Sequence, residues 1–107
     1  MPRRAARIDK NHKQIVQALR KAGASVWNTH MVGHGFPDIV VGFRGKTYLI
    51  EIKDGSKPPS KRKLTEEEQF FFDVWVGHVE VVESVDQALH IIGVFHANKL
   101  HPGKTKT

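Results

Sequence analysis

Apolar residues recur at helical spacing in "DKNHKQIVQALRKAG", where Ile15, Ala18, Leu19 and Ala22 fall on one face. Asp9 or Asn11 offers a cap at the start and Gly23 stands where a helix stops, so the segment reads as a first helix. "ASVWNTH" is rich in strand formers, and "MVGHGF" with its two glycines reads as a mobile loop. "PDIVVGF" and "KTYLIEIK" form a hairpin joined by Arg44 and Gly45. "DGSKPPSKRK" is an exposed loop, because Pro58 and Pro59 forbid regular pairing and the charges need water. "LTEEEQFFFDVW" opens with Thr65 and Glu68 at capping-box spacing and offers Phe71, Val74 and Trp75 as a core-facing stripe. "HVEVVE" is a short strand. "SVDQALHIIG" begins on a second capping pair, Ser84 and Gln87, spaces Val85, Ala88, Leu89 and Ile92 helically, and ends at Gly93.

The order is helix, three strands, helix, strand, helix, without internal repeat. It predicts one α/β domain over residues 1–107, a mixed central sheet flanked by helices with its core in about 9–93. A basic N-terminal arm and a C-terminal tail, loose beyond Leu100, complete the chain.

The hairpin carries the candidate chemistry. A two-residue turn at Arg44-Gly45 sets Phe43 opposite Lys46 and therefore Asp38 opposite Glu51. Alternation then places Asp38, Val40, Gly42, Thr47, Leu49, Glu51 and Lys53 on one face and Ile39, Val41, Tyr48, Ile50 and Ile52 on the other. Opposed carboxylates lie ~5 Å apart at Cβ and repel each other, more so where apolar neighbours exclude water. Lys53 cannot easily neutralise both. A hard divalent cation can, since magnesium accepts one or two carboxylates and leaves its other positions to water and phosphate. A wet strand face with an ordinary Lys-Glu pair is the alternative, but the continuous apolar run Ile39-Val40-Val41 puts Asp38 at the end of a buried strand.

Charge narrows the class of partner. Seventeen Lys and Arg against eleven Asp and Glu give a formal +6, concentrated in three clusters. Arg3, Arg4, Arg7, Lys10 and Lys13 crowd the N-terminus, Lys57, Lys61, Arg62 and Lys63 crowd the loop after the hairpin, and Lys99, Lys104 and Lys106 stud the tail. Such clusters favour nucleic acid over mere solubility. The absence of cysteine removes disulfides and thiolate zinc sites, and there is neither a signal-peptide core nor an apolar run approaching the ~18 residues that a membrane span needs. The expectation is a soluble, cytoplasmic protein of a phage or bacterial host cell, with no membrane partner. His12, His30 and His34 suggest zinc, but no third ligand stands at a recognisable spacing. Trp27 and Trp75 fall on strand and helix faces, where core packing is expected rather than base stacking.

Pro37-Asp38, thirteen residues, then Glu51-Ile52-Lys53, within this order of elements, resembles the PD-(D/E)XK nuclease superfamily. More narrowly, "VGHGFPDIVVGFRGKTYLIEIKDG" with "LTEEEQFFFDVW" and "VEVVESVDQAL" is similar to the VRR-NUC family, including its small single-domain phage versions; the likeness spans roughly residues 9–93. The resemblance implies a restriction-endonuclease-like αβββαβα core and a phosphodiesterase dependent on Mg2+ or Mn2+. In it Asp38, Glu51 and the Ile52 backbone carbonyl hold the metal, Lys53 orients and helps deprotonate the attacking water, and Gln69 reaches toward the site. Where the family places a glutamate in the first helix this chain has Gln14, an uncharged ligand at best, and whether that residue is natural or an inactivating change stays open. His34, together with Arg3, Arg4, Arg7, Lys10, Lys57, Lys61, Arg62 and Lys63, would meet DNA phosphates. The leading expectation is a structure-selective DNA endonuclease acting as a homodimer on Holliday junctions. A non-catalytic nucleic-acid-binding module on a nuclease scaffold, or a restriction-type enzyme reading one sequence, are the alternatives.

Overall fold

The computed structural model describes residues 10–95. Asp9, the N-terminal Arg3, Arg4 and Arg7, and the tail carrying Lys99, Leu100, Lys104 and Lys106 lie outside these. The elements follow the expected order: α1 (His12–Lys21), β1 (Ser25–Asn28), β2 (Ile39–Phe43), β3 (Lys46–Ile52), a 3-10 turn (Pro59–Lys61), α2 (Glu66–Val74), β4 (Val79–Val82) and α3 (Val85–Ile91). The strands form one sheet in the order β1-β2-β3-β4, antiparallel at the first two junctions and parallel at the third, with α2 in the crossover between β3 and β4.

The hairpin register is the one that a two-residue turn dictates: Phe43 pairs with Lys46, Val41 with Tyr48 and Ile39 with Ile50. Arg44 and Gly45 both adopt positive φ, 51° and 81°, the backbone of a turn whose twist matches the strands it joins. Glycine accepts that conformation at no steric cost. One face of the sheet, carrying Val26, Ile39, Val41, Tyr48, Ile50, Ile52 and Val82, packs against Ile15, Val16 and Leu19 of α1 and Ala88 and Leu89 of α3 to make the core.

Three local expectations are corrected. Asn11 does not cap α1 through its side chain. Its amide instead donates to the Lys53 and Glu83 carbonyls, at 3.0 and 2.9 Å, fastening the start of α1 to the ends of β3 and β4. The expected core-facing stripe of α2 also fails: no residue of that helix is buried, Val74 is exposed, and Phe71 packs edge-on to Phe36 and stacks on Trp75. The physical reason is layering. α1 and α3 together cover one sheet face, so α2 is left to the other, where it touches the domain by its first turn and by the Phe36–Phe71 contact. Trp27 and Trp75 are accordingly not core residues, at 73% and 40% exposure, because edge strand β1 has no cover on that side and α2 lies shallowly.

Candidate active site

The second sheet face ends in a cluster of ionisable groups built by three segments. Asp38 immediately precedes β2, and its backbone is held there by the Thr29 N–H, which donates to the Asp38 carbonyl at 2.8 Å, while the Thr29 hydroxyl donates to the Pro37 carbonyl at 2.8 Å. Asp38 Oδ2 accepts the Ile52 N–H at 2.8 Å. That bond carries the hairpin pairing one step past the last strand pair and brings Asp38 beside Glu51, as the register requires. Glu51 is 3% exposed, and its Oε1 is buried without a hydrogen-bond partner.

Lys53 Nζ lies 3.5 Å from Glu51 Oε2 and 2.8 Å from Glu68 Oε1. Glu68 is the residue that sequence reasoning placed only in a helix cap. It does cap: its carboxylate accepts the Thr65 N–H at 2.9 Å, and its own N–H donates to the Thr65 hydroxyl. The same Oε1 takes both the Thr65 N–H and the lysine, so the first turn of α2 is tied to the end of β3. The signal available in the sequence was a third acid at the start of the helix that follows the hairpin, but a local cap motif says nothing about what the capping carboxylate faces across a loop.

Gly35 lets α2 come this close. It has φ +82°, and a methyl group on it would collide with the Glu67 carbonyl. Gly35→Ala is therefore expected to displace the first turn of α2 and break the Lys53–Glu68 pair, with a loss of at least about 2 kcal/mol of stability. Denaturant unfolding measures it; an unchanged midpoint would show that the loop and helix can part without cost.

Burial, then the neighbouring Asp38 and Glu68 charges, push the Glu51 carboxyl up to about 9, so it carries its proton at neutral pH. Asp38 is raised too, chiefly by burial, against the Ile52 N–H and other lowering contacts. Burial pulls Lys53 down, but the hydrogen bond and charge of Glu68 more than restore it, leaving it above its ordinary value. Glu68 is raised by burial, yet the Lys53 bond and the Thr65 N–H hold it below the usual range. The arrangement is thus an ionised Lys53–Glu68 pair beside two carboxyls that are short of positive charge. Among the described residues no group of three His, Cys, Asp or Glu side chains converges in metal-binding geometry, and Glu68 is held by Lys53, which leaves Asp38 and Glu51 as the acids of this cluster without an ion-pair partner closer than 3.5 Å. Two carboxylates suit magnesium, which fills its other positions with water, backbone carbonyls and phosphate.

The remaining candidates lie around this centre. Gln69 is exposed and donates to Asp73 at 2.9 Å, along its own helix rather than into the cluster. Gln14 is exposed on α1, whereas Asn11 is the residue that reaches the end of β3. Gln14→Glu is expected to leave metal affinity within twofold, as titration calorimetry would show; a clear tightening would place that side chain at the site. His34, at φ 58°, is exposed and shares a shallow cleft with Glu66, Glu67 and Phe70, an acidic setting for a phosphate. Lys10, Lys57, Lys61 and Lys63 are exposed, while Arg62 is engaged by both Glu83 carboxylate oxygens at 3.3 Å and by the Lys57 carbonyl.

No family model matches this chain, and no curated protein sequence matches it. A solved structure described as a VRR-NUC domain aligns with 80% of this chain and 98% of its own length, at 25% identity and a TM-score of 0.52. The chain has a VRR-NUC, nuclease-type fold. In this VRR-NUC-like domain the acidic pair sits where the β2–β3 hairpin meets the loop before β2, and no helix among the described residues is long and apolar enough to cross a membrane.

Proposed function

We propose that this protein is a structure-selective DNA endonuclease, dependent on Mg2+ or Mn2+, that cleaves Holliday junctions as a homodimer. The observation that carries the reading is Glu51: a buried carboxyl with one oxygen unpartnered, set beside a second, half-buried carboxyl, Asp38. A fold that needed only stability would gain from replacing either acid. Asp38, Glu51 and the Ile52 carbonyl are the atoms that would hold the divalent ion, which supplies Lewis acidity and a lowered water pKa. Lys53, kept charged and immobile by Glu68, would orient the attacking water and stabilise the charge that builds on the phosphorane oxygens. The basic loop 57–63, which leaves β3 at its active-site end, would draw in the DNA backbone.

Labelled junctions, flaps and duplexes, incubated with and without magnesium or manganese, test this. Metal-dependent cutting that favours the junction is expected. Metal-independent binding without cutting would instead favour a non-catalytic module, and cutting of one duplex sequence a restriction-type enzyme.

A junction requires two nicks placed symmetrically, and a two-fold dimer supplies two identical sites. Phe70 is 67% exposed on α2, Val74, Trp75 and Val76 are exposed beside it in sequence, and Trp27 and Val81 are exposed on the sheet. An apolar surface of this kind is suited to covering a second copy. Phe70→Glu is expected to yield a folded monomer that makes uncoordinated nicks. Light scattering that gives a monomer for the wild type as well would remove the dimer.

A further inference from the structure

A cleft of about 350 Å³ runs along α1 beside edge strand β1, lined by His12, Lys13, Val16, Gln17, Arg20, Asn28 and His30. It is distinct in its chemistry from the acidic centre: no carboxylate lines it, while a lysine, an arginine, two imidazoles and two side-chain amides do. Its inner wall is ordered. His12 is 5% exposed and hydrogen-bonds through Nε2 to Asn28 Oδ1 at 2.7 Å, which leaves the Asn28 amide nitrogen to donate elsewhere. His12 and His30 meet edge to face at 5.3 Å, and His30 Nδ1 is buried without a hydrogen-bond partner. Arg20 is anchored on the Val26 carbonyl at 2.7 Å, which fixes the far end of the wall.

Its location gives the cleft a role. Asn28 is the last residue of β1 and pairs with Ile39, and the next residue, Thr29, donates to the carbonyl of Asp38. The cleft therefore begins beside the strand that the first acid of the cluster, Asp38, immediately precedes. We infer that it seats a backbone phosphate of the DNA strand that enters the acidic centre, with Lys13, the Asn28 amide and His30 as its hydrogen-bond donors. Phosphate oxygens are recognised by such donors without regard to sequence, which suits an enzyme that reads DNA shape. In naming DNA as the ligand the inference rests on the proposed function.

The test is made without divalent metal, so that binding is read apart from cleavage. A thymidine dinucleotide, which carries one phosphodiester, is titrated into isotopically labelled full-length protein. Resonances of the Asn28 side-chain amide, the His30 ring and the Lys13 backbone are expected to shift together and saturably. In DNA binding, Lys13→Gln is expected to weaken affinity about fivefold and to lower the slope of log K against log salt by about 0.9, the value of one lost phosphate contact. Lys21→Gln, at the other end of α1 and outside the cleft, should move neither the dinucleotide shifts nor their saturation. His30→Ala should abolish the shifts at Asn28. Lys13→Gln is a surface change and keeps the test decisive if His30→Ala fails to fold. Shifts confined to loop 57–63, or DNA affinity unchanged in Lys13→Gln, would overturn the assignment even if the protein cuts junctions. Conversely, a protein that shows the shifts but cuts no substrate would leave the phosphate cleft standing and the nuclease reading refuted.

Discussion

Glu51→Gln is expected to make the metal-free protein markedly more stable at neutral pH while abolishing metal-dependent cleavage. The sign follows from the direction of the shift. Burial, Asp38 and Glu68 raise the folded-state value of Glu51 from its ordinary 4.5 to about 9. Below pH 4.5 the group is protonated in both folded and unfolded chains and has no effect. Between those two values the unfolded chain releases the proton and the folded one retains it, so native stability falls as pH rises, by about 1.4 kcal/mol per unit. At pH 7 the accumulated cost is on the order of 3 kcal/mol, which corresponds to roughly 10 °C or more in a domain of this size. Glutamine preserves the shape and cannot ionise. The excess melting temperature of the variant should therefore be absent at pH 4, grow through neutral pH and level off above 9. A difference that is flat across pH would mean that Glu51 is not held protonated. Added magnesium should raise the melting temperature of the wild type and leave that of Glu51→Gln unchanged.

On the proposed role of Lys53, in which its ammonium acts on charge that appears only in the transition state, Lys53→Met is expected to lower the cleavage rate at least a thousandfold without weakening metal binding. The structure adds a second expectation. Lys53 lies 3.5 Å from Glu51 and 2.8 Å from Glu68, so its removal leaves these two acids with less opposing charge. Metal affinity should then rise, since a cation entering the cluster no longer competes with a fixed one. Calorimetry that shows weaker metal binding would contradict this division of roles and make Lys53 part of the frame that shapes the metal site.

The hairpin and its acidic pair were legible in the sequence because both depend on local rules. A two-residue turn fixes the sum of paired positions, alternation fixes the face, and Asp38 and Glu51 then have to meet. Phe43 opposite Lys46 is what the structure shows. Glu68 was legible as a cap for the same reason, but its ion pair with Lys53 spans fifteen positions across a loop that no periodicity describes. Asn11 was misread in the complementary way: its residue type and place suited a cap, and the two carbonyls it binds, 42 and 72 positions away, were invisible. The aromatic residues of α2 show a further limit. "QFFFDVW" declares itself apolar, but whether such a helix is covered depends on which sheet face its neighbours have already taken, and here α1 and α3 hold the same one. The His12–His30 contact escaped for a similar reason, since one residue begins a helix and the other follows a strand that packs beside it.

The crossover between β3 and β4 divides the site in time as well as in space. Asp38, Glu51 and Lys53 belong to one hairpin, whose closure is a matter of microseconds, whereas Glu68 arrives only when the parallel β3–β4 pair forms around the whole loop and helix. The cost of placing Glu51 beside Asp38, where it must keep its proton, is thus incurred early in folding, and the pairing of Lys53 with Glu68 comes late. Removing that cost, as in Glu51→Gln, should quicken refolding, while removing the late pair, as in Glu68→Ala, should leave refolding alone and hasten unfolding. The nuclease centre would then act as a kinetic brake on the folding of the hairpin that carries it.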